Sequence, residues 1–314
     1  MQRVFEKILV AVDGSPQSNT AIAMAVFLAK RLESQAAIVH VVSREMVLPD
    51  FHNMPREGDN YTPINTSTIQ ISRFVKLPTA REYLLPETVV NEVTTWLLGK
   101  GKSIVSRAAS AFRAEDIAVE EKLVEAADPA EKIIEEAETG NYRLIVMGNS
   151  GGEENEGISD SHLGSVAKAV SIGAKTPVLI VRQRSQVKSI LVPVDGSPKT
   201  EEILAYAAEL AKRLNAKVDL LHVQESSVLN FRPNLKDLGI QILEHAGTAI
   251  EGTETTKKLK AGDPAKMIIQ TSIEEKSDLI IMGRGRHGVL RNFMLGKVSD
   301  HVVHLATVPV LLID

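Results

Sequence analysis

The chain has 314 residues, 44% of them hydrophobic, enough to bury two cores of ordinary domain size. Its formal charge of −4 removes the simplest case for nucleic-acid binding, which needs a basic surface to neutralise phosphates, and the lack of cysteine removes disulfides, thiol nucleophiles and Cys-based metal sites. No signal-peptide pattern opens the chain and no segment approaches the about 18 continuous apolar residues of a membrane span, so a cytoplasmic protein without a membrane span is expected.

The first element is the run Ile8–Val12, a short apolar stretch of the kind buried on both faces of a parallel sheet. It ends in Asp13-Gly-Ser-Pro16. Ser15 is placed to cap a helix whose first residue is Pro16, and Ile22, Ala25, Ala29 and Leu32 form one apolar stripe along that helix. A second strand covers Ala37–Val42. Residues from Ser43 to about Thr88 hold five prolines and no sustained period, which reads as a long loop. Five of the twelve aromatics, Phe51, Tyr61, Phe74, Tyr83 and Trp96, lie in or just after it, so surface packing or a subunit contact is expected there rather than a lid. A helical region follows, then Asp128-Pro-Ala130 opening another helix, the strand Leu144–Met147, and the final strand Pro177–Val181.

The series then begins again. Ile190–Val194 ends in Asp195-Gly-Ser-Pro198, with Ser197 placed as a cap before Pro198 and the stripe Leu204, Ala207, Ala211 and Leu214 behind it. Val218–Val223, Asp263-Pro-Ala265, Leu279–Met282 and Pro309–Ile313 repeat the remaining elements. Asp13 and Asp195, Pro16 and Pro198, and His40 and His222 are each 182 positions apart, whereas later matches are 135 and then 132 apart. The first copy therefore carries a 47-residue insertion and a smaller one of 3 residues. A period this long means two complete domains, 1–184 with the insertion at about 44–88, and 187–314, rather than a solenoid. Arg182–Val187 is the linker, too short for independent tumbling. Alternating strands and helices predict a doubly wound α/β sheet in each copy, with ligands beyond the strand C-termini.

Two glycine-rich turns follow the fourth strands. The first reads Met147-Gly-Asn-Ser-Gly151, a twelve-residue spacer, then Gly164-Ser165. The second reads Met282-Gly-Arg-Gly-Arg-His-Gly288 and continues to Gly296-Lys297-Val-Ser299. Glycines there let backbone N–H groups approach an anion, and the following helix directs its positive end at a phosphate.

With its duplicated strand-Asp-Gly-Ser starts, glycine turns and terminal Pro-Val-Leu strands, the whole chain resembles a tandem universal stress protein. That resemblance implies two Rossmann-like domains, each a five-stranded parallel sheet with flanking helices, akin to the adenine nucleotide alpha hydrolases. It also implies a stress-response role and pairing of the copies through their fifth strands. A homodimer of such chains is implied as well. The nucleotide-binding branch carries Gly-x-x-Gly, a nine-residue spacer and Gly-Ser or Gly-Thr, with adenine near the first-strand Asp and the second-strand end.

Both turns depart from that pattern. The first keeps Gly148, Gly151, Gly164 and Ser165, but its longer spacer carries Glu153, Glu154, Glu156 and Asp160, which repel a triphosphate unless a divalent cation intervenes. The second keeps its span, but Arg286 replaces one glycine and Lys297 the hydroxyl residue; Arg284, Arg286, Arg291 and Lys297 make it basic, and Ser299 offers a hydroxyl. Electrostatics favour the second copy. The expected contacts for ATP or AMP are Pro193, Val194, Asp195, Val223, Met282, Gly283, Arg284, Gly296, Lys297, Val298 and Ser299. A lesser set in the first copy is Ala11, Val12, Asp13, Val41, Met147, Gly148, Gly151, Gly164, Ser165 and Val166.

No dedicated metal site is read; Mg or Mn would enter only with a nucleotide. His40 and His222 read as hydrogen-bonded strand-end residues, and His287 has no partner that would make it a base. With no Ser-His-Asp order, zinc spacing or Walker Lys-Ser/Thr pair, weak ATP hydrolysis at most is expected. The expected role is a regulator or chaperone-like partner acting through ligand occupancy and unidentified protein partners. Two alternatives are a slow ATPase or nucleotidyl transferase, and a nucleotide-free scaffold or carrier of another small ligand.

Overall fold

The computed structural model describes residues 5–43, 87–149, 163–182, 186–225, 235–285 and 295–314. The first copy contains β1 (Lys7–Ala11), α1 (Pro16–Leu32), β2 (Gln35–Val42), α2 (Glu87–Arg113), β3 (Val119–Glu125), α3 (Pro129–Thr139), β4 (Leu144–Gly148), α4 (Ser165–Gly173) and β5 (Val178–Val181). The second contains β6 (Ser189–Pro193), α5 (Thr200–Leu214), β7 (Lys217–Gln224), α6 (Leu235–Thr248), β8 (Thr255–Ala261), α7 (Pro264–Glu274), β9 (Leu279–Gly283), α8 (Lys297–Leu305) and β10 (Val310–Ile313). The insertion lies outside the described residues through position 86.

The ten strands form one sheet in the order β3-β2-β1-β4-β5-β10-β9-β6-β7-β8. Within each half the strands are parallel. The halves join where β5 and β10 run antiparallel, with Leu179 opposite Leu311 and Ile180 opposite Val310. Each fifth strand thus covers the open edge of the other, as the resemblance implies.

Helices lie on both faces because the central strands are apolar on both sides. On one face α1, α2, α5 and α6 bury a cluster that includes Ile8, Leu28, Phe112, Leu179, Leu204, Ile281 and Leu311. On the other, α3, α4, α7 and α8 cover Leu9, Ile145, Ile180, Leu221, Ile280 and Leu312. Both clusters run through the two copies without a break. Phe5 of the first copy meets Tyr206 of the second edge to face, at 5.3 Å between ring centroids.

The linker reading needs correcting at its ends. Arg182 is buried and donates to the carbonyls of Val303 (2.6 Å) and His304 (3.2 Å), and Val187 is buried in the shared core, so both belong to the interface. Residues 183–185 lie outside the described residues.

A second correction concerns the start of α5. Ser15 caps α1 as expected, accepting from the Ser18 N–H at 3.1 Å. Ser197 does not cap. Its carbonyl accepts from the Thr200 N–H at 2.9 Å, and the helix begins two residues later than the repeat predicts. Ile203 stands where the first copy has Ala21, and its Cδ1 lies 3.1 Å from where a Cβ on Gly283 would be. The Ile203 side chain thus lies over the end of β9 where the first copy has the first turn of α1.

Candidate functional site

Both halves build their rim with the same local devices. Asp13 Oδ1 accepts from the Ser15 N–H (2.9 Å) and the Ser18 hydroxyl; Asp195 Oδ1 accepts from the Ser197 N–H (2.9 Å) and the Thr200 hydroxyl (3.0 Å). These contacts close the strand-to-helix turn. Asp195 is exposed as a residue, but its carboxylate turns inward. Burial alone would push the carboxyl up; the hydrogen bonds from Ser197 and Thr200 outweigh it and hold the group below the ordinary aspartate range. One oxygen of each aspartate thus serves the turn.

His40 Nδ1 donates to the Val12 carbonyl and His222 Nδ1 to the Val194 carbonyl, each at 2.7 Å. A Cβ on Gly101 would lie 2.9 Å from the His40 ring, and one on Gly239 3.0 Å from that of His222. Each imidazole is therefore wedged between its strand end and a close-packed helix.

The two glycine turns differ in the room above them. In the first copy a Cβ on Gly148 would stand 2.9 Å from the backbone carbon of Gln17, because the first turn of α1 rests on the end of β4. In the second, among the described residues, a Cβ on Gly283 would meet the tip of Ile203 at 3.1 Å and, at 4.0 Å, the Gly285 nitrogen. The described backbone thus approaches Gly283 less closely than it does Gly148. That is a geometric reason to favour the second copy, independent of charge.

Beyond Gly283 the described ends of the loop, Gly285 and Gly296, meet. Gly285 has φ of +62°, a conformation that favours glycine, and the Gly296 N–H donates to the Arg284 carbonyl at 2.8 Å. A Cβ on Gly296 would fall 2.3 Å from the Gly285 carbonyl oxygen, so the two glycines pack backbone against backbone. Gly164 N–H closes the matching turn on the Asn149 carbonyl at 2.7 Å. These two N–H groups serve the turn itself. The donors left at the start of α8 are the first helical N–H groups, beginning at Lys297, with no side-chain cap from Gly296.

Two expected phosphate contacts point elsewhere. The Arg284 side chain is 1% exposed; its guanidinium donates to the carbonyls of Ala174 and, at 2.8 Å, Thr176 in the first copy. A cation at the C-terminal end of a helix meets carbonyl acceptors and the negative end of the helix dipole. The Ser299 hydroxyl, 2% exposed, donates to the Gly283 carbonyl at 2.9 Å and braces α8 against β9. Val194 and Met282 are buried beneath the rim, with Pro193, Val223 and Val298 partly buried beside them. In the first copy Ala11, Val12 and Met147 are buried, Val41 and Val166 pack against the core, and Ser165 opens α4. Gly151, the acidic spacer, Arg286, His287 and Arg291 lie outside the described residues.

A cavity of about 320 Å³ opens on the α7/α8 side of the second copy, lined by Glu225, Gly262, Asp263, Pro264, Ala265, Lys297, Val298 and His301. Lys297 and Val298 were expected; the others were not. Two helix starts converge on it. α7 is capped by Asp263, which accepts from the Lys266 N–H at 3.0 Å, while α8 brings Lys297 and, one turn on, His301. The signal for α7 was present in the sequence: Asp-Pro-Ala is repeated in both copies at the same rim, although only its helix-opening role was read from it. Among the described residues no group of three or more His, Asp or Glu side chains is arranged to hold a metal, and no helix is long and apolar enough to cross a membrane.

This doubly wound, largely parallel sheet with helices on both faces is a Rossmann-like α/β fold. The chain belongs to the universal stress protein family, whose model matches residues 5–62, 76–182 and 186–314 in tandem. Universal stress protein Slr1230 of Synechocystis is 24% identical over 315 residues, covering 98% of this chain and 99% of that one. The crystal structure of a universal stress protein from Archaeoglobus fulgidus superposes with a TM-score of 0.67 at 22% identity, covering 98% of this chain and 96% of that chain. A shorter protein, the universal stress protein from Archaeoglobus fulgidus solved in complex with dAMP, is 25% identical with a TM-score of 0.34, covering 40% of this chain and 98% of that one.

Proposed function

We propose that the second domain binds an adenine nucleotide, ATP or AMP, and that the protein acts in a stress response through the occupancy of that site. The observation that carries this reading is the cavity between the starts of α7 and α8, with Lys297 and His301 on one wall and Glu225 on another. Its volume falls at the lower end of the roughly 300–1,000 Å³ typical of small-molecule sites. Phosphate belongs at the α8 end, where helical N–H groups and the Lys297 ammonium are collected. The carboxylates of Glu225 and Asp263 suit ribose hydroxyls better than phosphate, which orients the sugar toward α7. Asp195 and Val223 lie on the same rim, where the family resemblance puts the base.

In this reading the domains are 1–184 and 187–314, and the first is the weaker site, since Gln17 rests on Gly148. A divalent cation would come with the nucleotide's own phosphates. Native mass spectrometry of the purified chain tests the reading. An adduct with the mass of an adenine nucleotide, lost in Lys297→Ala, is expected; a bound molecule of another class, or an adduct unaffected by that change, would contradict it.

A further inference from the structure

Arg284 sits at the turn of the second candidate site while its side chain is bound into the first copy. Its N–H donates to the Ile313 carbonyl at 2.9 Å and its carbonyl accepts from the Gly296 N–H at 2.8 Å, so its backbone ties together the ends of β9 and β10 and the start of α8. Its guanidinium holds the carbonyls of Ala174 and Thr176, at and just beyond the C-terminal cap of α4. The N-terminus of α4 is the glycine rim of the first copy. Arg182 acts in the reverse sense, donating from the end of β5 to Val303 and His304 near the C-terminus of α8, whose N-terminus lines the second site. The last helix of each copy is therefore held at its negative end by an arginine of the other, the sign a helix dipole favours. The two arginines are not equivalent in the repeat: Asn149 holds the place of Arg284 and Asp314 that of Arg182.

We propose that Arg284 is a positioning residue: anchored on the first copy, it fixes where Gly285 meets Gly296 at the start of α8 in the second copy and couples that contact to α4. The proposal concerns regulation of the site assigned above and rests on that assignment only in its liganded arm. Two hydrogen bonds from a buried cation hold the Arg284 side chain, and Gly285, the next residue, packs backbone against backbone on Gly296, so a shift of Arg284 is passed to the start of α8. Losing the anchor loosens that contact and removes a donor from each of two carbonyls at the end of α4.

Hydrogen–deuterium exchange on the full chain tests this in the wild type, Arg284→Ala and Arg284→Lys, with Arg182→Ala as a control that removes a similar cross-copy bond but leaves the turn's backbone unchanged. Without ligand, both Arg284 variants should exchange faster by roughly tenfold or more in 295–300 and in 174–178. Arg182→Ala should quicken 301–306 and leave 174–178 unaltered. Arg284→Lys keeps a buried cation and a melting temperature near wild type, separating local loosening from global unfolding. Unchanged exchange in 295–300 in the lysine variant would overturn the proposal, whether or not the protein binds nucleotide. With ATP added, the wild type should slow in both segments and the lysine variant in 295–300 alone. Slowing confined to 295–300 in the wild type would overturn the coupling. ATP without effect on 295–300 in any protein would instead count against the nucleotide assignment, leaving the unliganded arm to decide the role of Arg284.

Discussion

Gly283 and Gly296 occupy opposite ends of one turn, yet a side chain would meet different things at each. At Gly283 it meets the flexible tip of Ile203; at Gly296 it runs into the Gly285 carbonyl. Gly296→Ala should therefore lower the melting temperature of the ligand-free protein by several degrees, a loss on the order of 1–3 kcal/mol, while Gly283→Ala changes it little. Differential scanning calorimetry of the two variants separates them. Asp195 makes a second prediction. Its carboxyl is held below the unfolded value of about 4, so it contributes stability above that pH and loses it as pH falls through the folded value. The melting-temperature gap between wild type and Asp195→Asn should be full at neutral pH and close on acidification below pH about 4. A gap that persists at low pH would mean that the turn depends on side-chain shape rather than charge.

Among the elements, strands of continuous apolar sequence were legible, and those at the sheet ends were not. β1, β4, β5 and their counterparts are buried on both faces, so their residues need not alternate. β3 and β8 read Val-Glu-Glu-Lys-Leu-Val-Glu and Thr-Thr-Lys-Lys-Leu-Lys-Ala. These edge strands are charged, a pattern that discourages pairing between molecules and also hides them from a search for apolar runs. The start of α5 was misplaced because Ser197-Pro198 carries the same cap signal as Ser15-Pro16, while the backbone there closes a turn from the Thr200 N–H to the Ser197 carbonyl first. Arg284 was misread for a similar reason. A basic residue in a glycine turn gives no local sign that its carbonyl partners lie over a hundred positions away. The junction of β5 and β10 yields an element-scale prediction. Leu311 is buried opposite Leu179, and Leu311→Ala should cost about 2–5 kcal/mol in urea unfolding without splitting the transition.

The whole molecule behaves, on this account, as one sheet with two continuous cores rather than two beads on a linker. The pairing that would join two single-domain copies is met inside the chain, so neither fifth strand is left open. Residues 1–184 or 187–314 expressed alone would expose β5 or β10 together with the apolar residues beside it. Each half should associate with itself or with the other half when mixed, and sedimentation velocity would show this; two stable, non-associating monomers would contradict the shared core. For the same reason, comparing ligand affinity between separated halves confounds binding with lost packing. Substitutions in the intact chain avoid that.

Titration calorimetry of the intact chain with ATP decides whether the second domain holds the nucleotide. One dominant site per chain is expected, with an affinity that falls by about tenfold or more in Lys297→Ala, equivalent to roughly 1.4 kcal/mol, and weakens with added salt. Two equivalent sites, or a single site indifferent to Lys297 and to salt, would contradict the assignment of the nucleotide to the second domain.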